Sequence, residues 1–239
     1  MVLGLGRIQK MIETTYVNHM GNDLSVVNAA RVSFDKESTW ADHDSETDQY
    51  VLKDGDRKLI HYLAEHKHLS PFGHCFASFT VKAPIFVARQ LVKHKFLRWN
   101  EISRRYVDSD PEFYVPDVWR GRSADKKQGS EGSVVIDRDT WYDNDDFEDA
   151  NPYAIEKVML DEYKSMLRKG VCPEQARMIL PQNTMTEWYW SGSLDAFADM
   201  CNLRCTGDTQ LETRLVANKI CAVMMVLFPV SWFALRLEK

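Results

Sequence analysis

Polar and apolar positions recur along the chain with two periods, and each run predicts an element. Residues 22–34 (NDLSVVNAARVSF) open on an Asn/Asp capping signal and continue with apolar residues at helical spacing. Residues 56–66 (DRKLIHYLAEH) predict a second amphipathic helix, with Leu59, Ile60, Tyr62 and Leu63 as its buried side. The SPFG run at 70–73 is a turn signal, and residues 75–81 read as a strand because β-branched and aromatic residues dominate. Pro84 is suited to a helix's first turn and predicts a helix to about Lys93. A short irregular stretch to Tyr106 follows, then an extended segment (PEFYVP) with proline at both ends.

Residues 121–150 lack any period and predict a surface insertion. Residues 151–168 regain the helical period, with Ile155, Val158, Met159, Tyr163 and Met166 inward. Residues 173–180 predict a short helix closed by Pro181, residues 184–190 a strand, and residues 193–203 and 209–227 two further helices. Helices and strands mix without a regular β-α-β alternation, which favours an α+β fold over a doubly wound parallel sheet.

Charge changes this picture locally. The 239 residues carry a formal net charge of −5, and residues 121–150 alone, with nine acids and four bases, account for all of it. Residues 82–107 hold seven bases (Lys82, Arg89, Lys93, Lys95, Arg98, Arg104 and Arg105) against one acid, Glu101. The mean charge excludes a generally basic nucleic-acid-binding domain, while the local cluster, with Asn100 and Ser103 as added donors, predicts a phosphate or nucleotide site.

The N-terminal MVLGLGRIQKM has no apolar core of a signal peptide, and the longest uncharged run, 220–235, is too short for a membrane span and is interrupted by Pro229. Five cysteines (Cys75, Cys172, Cys201, Cys205 and Cys221), an odd number, predict free thiols in a reducing cytoplasm. Cys201 and Cys205 are spaced to share a helical face and read as half-buried core thiols, with no partner set for zinc. Cys172, at a helix start, is a weak nucleophile candidate. His66, His68 and His74 lack an interleaved carboxylate and read as surface or stacking histidines, so no metal is expected. Asp42-His43-Asp44 reads as a loop. Gly4-Leu5-Gly6 is not a dinucleotide fingerprint, and neither a nucleophile elbow nor a Walker loop is present.

Several segments together carry a family resemblance. Lys93-His94-Lys95, seven residues, then Ser103 resembles the Arg-His-Arg, seven residues, Ser signature of the flavin-dependent thymidylate synthases. MGNDLSVVNAARVSFD (20–35), HLSPFGH (68–74), VKAPIFVARQ (81–90), NEISRRY (100–106), EFYVP (112–116), ARMILP (176–181) and NLR (202–204) resemble that family in its own order. The likeness implies one domain over 1–239, with surface insertions near 36–55 and 121–150 and a mainly antiparallel sheet flanked by helices. It implies a methyltransferase of dTMP biosynthesis: dUMP is methylated with methylenetetrahydrofolate as carbon donor, and FAD reduced by NADPH carries the hydride. It also implies a homotetramer with shared active sites, and neither a membrane nor a nucleic-acid partner. A sister reaction on another pyrimidine deoxynucleotide, methylation or hydroxymethylation, and a non-catalytic nucleotide- or RNA-binding homologue are the alternatives.

Residue roles carry over by position. Arg204 matches the arginine that polarises the uracil ring and is the catalytic candidate. Gln90, Lys93, Glu101, Ser103, Arg104, Arg105, Arg177 and Arg204 match the dUMP site. Ser33, Ser70, Lys93, His94, Lys95, Glu101, Ser193, Asp195 and Asp199 fall at the FAD site, and His68 and Tyr106 where folate or nicotinamide would stack. Three features depart from the family. Both signature arginines are lysines, which keep charge and lose the planar fork. Ser193, Asp195 and Asp199 stand where Asn, Arg and Asn or His are expected. The insertion at 121–150 is unusually acidic.

Overall fold

The computed structural model describes residues 11–45, 49–124, 129–136 and 152–236. The described residues form a mixed helix and antiparallel-sheet structure, as the sequence predicts. A four-stranded sheet has the order β1-β4-β8-β5, built from β1 (Glu13–Met20), β4 (Phe76–Pro84), β5 (Leu97–Glu101) and β8 (Met185–Ser193). Two antiparallel hairpins pair β2 (Asp42–Asp44) with β3 (Gln49–Val51) and β6 (Trp119–Arg122) with β7 (Ser130–Val134). The remaining parts of the predicted insertions, residues 46–48, 125–128 and 137–150, lie outside the described residues. The chain divides into two compact units.

The first unit comprises Met1–Glu13, Val81–Gln90 and Asn100–Trp188. It holds α3 (Ile85–Leu91), α4 (Pro152–Arg168) and α5 (Pro173–Ala176). Val81, Ala83, Val87, Tyr114, Tyr163 and Trp188 are among its buried apolar residues, and the strand alternation of β4 is what turns Val81 and Ala83 inward. The PEFYVP segment is extended, with Phe113 bridged to Thr184, and the Asn183 amide donates to Tyr114 O at 2.9 Å and to the Glu156 carboxylate. Val158, predicted inward, is exposed.

The second unit comprises Thr14–Thr80, Leu91–Trp99 and Tyr189–Lys239. It holds α1 (Asp23–Arg31), α2 (Asp54–Glu65), α6 (Leu194–Arg204), α7 (Leu211–Leu227) and α8 (Pro229–Leu235). Asn22 caps α1: its side chain accepts from Ser25 N at 3.0 Å, and Ser25 Oγ accepts from Asn22 N at 3.1 Å. Gly21 precedes the cap at φ +84°, and a Cβ there would lie 2.7 Å from Cys75 Sγ, so glycine is required twice over. Phe79, Trp190 and Phe197 form an edge-to-face aromatic core with centroids 5.3 and 5.5 Å apart. Tyr62, predicted on the buried side of α2, is instead exposed and stacks on His66 at 4.0 Å.

The helix in the uncharged run ends at Leu227, before Pro229, and a further helix follows it. Pro229 opens α8, where a proline costs no hydrogen bond because a first-turn N–H has no intrahelical partner. The next two N–H groups, of Val230 and Ser231, donate to the Asp23 carboxylate at 2.9 Å each. Asp23 is 4% exposed, so this cap is supplied from α1 inside the core. Asp23→Ala strands two buried donors and is expected to cost about 2–4 kcal/mol. Urea unfolding of the variant, at unchanged m-value, measures that loss.

Candidate active site

The second unit gathers ten of the residues named from the sequence. Arg204 lies in the last turn of α6, where a cation complements the helix's negative end. Asn202, two residues earlier, donates its amide to Leu235 O at 3.0 Å and ties this helix end to α8. The Arg204 Nε–H donates to His94 Nε2 at 3.0 Å. For that bond Nε2 must be the lone-pair nitrogen, so the imidazole is neutral with its proton on Nδ1. Burial, and then the Arg204 charge, push the His94 pKa down to about 4. Lys93 and Lys95 flank this histidine with exposed side chains.

Asp195 and Asp199 lie one turn apart on α6. Burial pushes the Asp199 carboxyl up, the neighbouring Asp195 charge adds to it, and Lys67 opposes it. Asp195 Oδ1 is buried and has no hydrogen-bond partner among the described residues. Ser193 is the buried N-cap residue of α6, without a side-chain capping bond. Ser33 lies in a 3₁₀ turn after α1, and it, Ser70 and His68 are exposed. His68 packs edge-on to Tyr62 and His66 at 6.2 and 6.3 Å, which agrees with the stacking reading of the histidines.

The first unit carries the other seven. Ser103 Oγ accepts from both the backbone N and the Nε of Arg105 at 3.4 Å, and the Arg105 guanidinium lies 5.0 Å over the Tyr106 ring while donating to its hydroxyl at 3.0 Å. Arg104 donates to Ser109 O in the same loop. Ser103, Arg105 and Tyr106 thus form one exposed cationic-aromatic cluster. Glu101 accepts from Thr186 Oγ1 at 2.8 Å. Gln90 is half-buried at the end of α3, and Arg177 donates from Nε to Glu174 O at 3.2 Å. Of the seven bases in 82–107, Lys82 is paired with Glu112 at 2.7 Å, a contact that raises its pKa.

The structure corrects the sequence reading in two places here. The stretch leading to Tyr106 contains β5, hidden because Leu97 and Trp99 alternate with polar residues over only five positions and follow Phe96 at φ +64°. Asp42-His43-Asp44 is a strand, with His43 stacked on Tyr50 at 4.3 Å. The His94–Arg204 pair, Thr186 and Lys67 carry no signal of their role in the sequence reading above. Strand alternation from Trp188 and Trp190 could have turned Thr186 inward with them, but 110 positions separate His94 from Arg204.

Residues 15–230 match the family model described as thymidylate synthase complementing protein. The chain is 37% identical over 218 residues to the flavin-dependent thymidylate synthase of Thermus thermophilus, covering 91% of this chain and 73% of that one. It is 36% identical over 221 residues to that of Kosmotoga olearia, covering 91% and 87%. Among solved structures it resembles the UMP/dUMP methylase PolB from Streptomyces cacaoi bound with 5-Br UMP, at TM-score 0.73 and 29% identity over 94% of this chain and 93% of that one. The same enzyme bound with 5-Br dUMP gives TM-score 0.71 and 28% identity, over 93% and 94%. The fold and this breadth of similarity define an enzyme, a methyltransferase. The chain belongs to the flavin-dependent thymidylate synthase family.

Proposed function

We propose that the protein methylates dUMP to dTMP, with methylenetetrahydrofolate as carbon donor and FAD, reduced by NADPH, as hydride carrier. The observation that carries this reading is the orientation of Arg204 by His94 at 3.0 Å, in a chain whose relatives are thymidylate synthases. A guanidinium held by its Nε presents a planar charge of fixed direction, suited to the negative charge that builds on a uracil ring. Ser103, Arg105 and Arg177, with Gln90, Lys93, Arg104 and Glu101, are proposed to hold the nucleotide. His68 and Tyr106 are proposed to stack on folate or nicotinamide. The active unit is proposed to be a cytoplasmic homotetramer with shared sites, built as a single domain. All five cysteines are free, which suits a reducing compartment, and no helix among the described residues is long and apolar enough to cross a membrane.

The residues present fit a flavin nucleotide. Lys93 and Lys95 offer exposed cations to a diphosphate, and the partnerless Asp195 Oδ1 is an acceptor for a ribose hydroxyl or adenine amino group. When bound, the flavin supplies the hydride. Ser33, Ser70, His94, Glu101 and Ser193 complete the proposed cradle. Asp199 opposes it, because its carboxylate repels the diphosphate and Lys67 offsets it only in part. Asp199→Asn is expected to tighten FAD about fivefold, as for removal of an exposed charge contact of about 1 kcal/mol. Quenching of flavin fluorescence on titration measures this. Purified protein that takes up no added FAD would overturn the flavin assignment.

A second reading has a specific support: a solved structure similar to this chain holds 5-Br UMP. Tritium release from 5-tritiated dUMP and 5-tritiated UMP, with NADPH, methylenetetrahydrofolate and FAD, separates the readings. Release from dUMP alone supports thymidylate synthesis, and release from both supports a broader methylase.

A further inference from the structure

Methyl transfer leaves unused a cluster of three thiols in the second unit. Cys201 and Cys205 lie one helical turn apart, in α6 and at its C-cap, and Cys221 reaches them from α7. The three side chains lie close enough to act on one another's ionisation. Cys201 is buried and its Sγ donates to Ala217 O at 3.6 Å. Cys205 and Cys221 are half-buried and line a groove of about 1010 Å³ with Trp232, Phe233 and Arg236, and with Asp199 of the proposed flavin site, whose carboxylate Arg236 must outweigh for an anion to enter. Among the described residues no group of His, Cys, Asp or Glu is arranged to hold a metal.

The two accessible thiols are unequal. Cys221 is held below the usual thiol range by its hydrogen bonds with Cys201 and then Cys205, against burial. The Trp232 indole N–H, 3.4 Å from its Sγ, and the Arg236 charge add to this. For Cys205 the hydrogen bond with Cys201 acts downward, but the bond with Cys221 and burial outweigh it and push the thiol up. A stabilised thiolate beside a second, resolving thiol is what disulfide exchange requires. Arg236 Nη1 is buried with no hydrogen-bond partner among the described residues, an unused donor for an anion.

We propose that Cys221 and Cys205 form a thiol–disulfide exchange site, and that the groove beside Arg236 takes a small carboxylate-bearing disulfide. The Cys221 thiolate attacks one sulfur of that disulfide, its S–S bond breaks, and one thiolate leaves. The Cys205 thiolate then attacks Cys221 Sγ in the mixed disulfide and expels the second thiolate. The two protons lost by the cysteines go to the two leaving thiolates. The pair is oxidised by two electrons and the small disulfide is reduced to two thiols.

Oxidised glutathione, added to the full chain with exposed Cys172 replaced by serine, is the probe. Intact mass and peptide mapping are expected to show the loss of two hydrogens and a Cys205–Cys221 linkage. In Cys205→Ser one glutathione is expected to remain on Cys221. Arg236→Gln is expected to slow modification by oxidised glutathione about tenfold, and to leave modification by the uncharged hydroxyethyl disulfide unchanged. Absence of a Cys205–Cys221 linkage, or glutathione accumulating on Cys205 in place of Cys221, overturns the proposal. Mapping on the otherwise native chain does not depend on any cluster variant folding.

Discussion

Arg204→Ala is expected to lower tritium release from 5-tritiated dUMP by about 10²–10³-fold, with the loss in kcat rather than KM. The reason is the charge Arg204 carries and the direction in which it is held. Its backbone stands at the end of α6, which the Asn202–Leu235 bond fastens to α8, and its Nε is fixed on His94. Such a group meets charge that develops on the pyrimidine without having to reorganise, and that is where preorganised electrostatics act most strongly. Arg204→Lys keeps the charge and loses the planar fork, so it is expected to fall between wild type and alanine. Loss of the Arg204 charge also removes one of the two causes that depress His94. Its titration, followed by NMR of the ring protons, is expected to move upward, yet to stay below the ordinary value of 6.5 because burial, the larger cause, remains. Near-wild-type tritium release in Arg204→Ala would remove this residue from the reaction.

The elements that were legible in the sequence are those whose period is long and whose neighbours agree with it. The helices α1, α2, α4, α6 and α7 and the strands β4 and β8 fall where spacing predicts them. β1 was not legible, because six of its last six residues are exposed and nothing in ETTYVNHM marks an inward face. It lies at an edge of the sheet, where pairing comes from backbone hydrogen bonds and side chains carry little pattern. α8 was hidden for a different reason: its capping carboxylate, Asp23, is more than 200 residues away. The same distinction holds in the candidate site. The basic cluster of 82–107 marks Ser103 and Arg105, the family resemblance marks Arg204, and the local bond from Arg105 to Ser103 follows from a separation of two residues. The pairing of Arg204 with His94, from a turn, and of Cys221 with Cys201 and Cys205, from two helices, is a product of tertiary packing, which periodicity does not encode.

His94→Ala is expected to lower kcat about tenfold with a smaller change in KM, because it frees the Arg204 guanidinium without removing it. His94→Gln supplies an amide oxygen as a substitute acceptor for the Arg204 Nε–H, and is expected to recover part of that loss. A histidine that served the flavin alone would give a different pattern: FAD retention would fall in both variants, and kcat at saturating FAD would be restored. The pH dependence adds a second signature with a definite sign. Protonation of Nε2 destroys the bond to Arg204, and the folded-state pKa is pushed down to about 4 from 6.5. Activity is therefore expected to show no titration of this group near 6.5 and to decline only as pH approaches 4. Stability, unlike activity, titrates within that interval. The unfolded chain takes up a proton on His94 near 6.5, and the folded chain does so only near 4, so between these values the unfolded state binds more protons. His94 thus contributes a loss of stability that grows as pH falls from 6.5 to 4 and is absent above it. Urea midpoints across that range, compared with those of His94→Gln, measure the contribution: the wild type is expected to lose more on acidification than the variant. Equal losses would show that His94 titrates alike in the folded and unfolded chains.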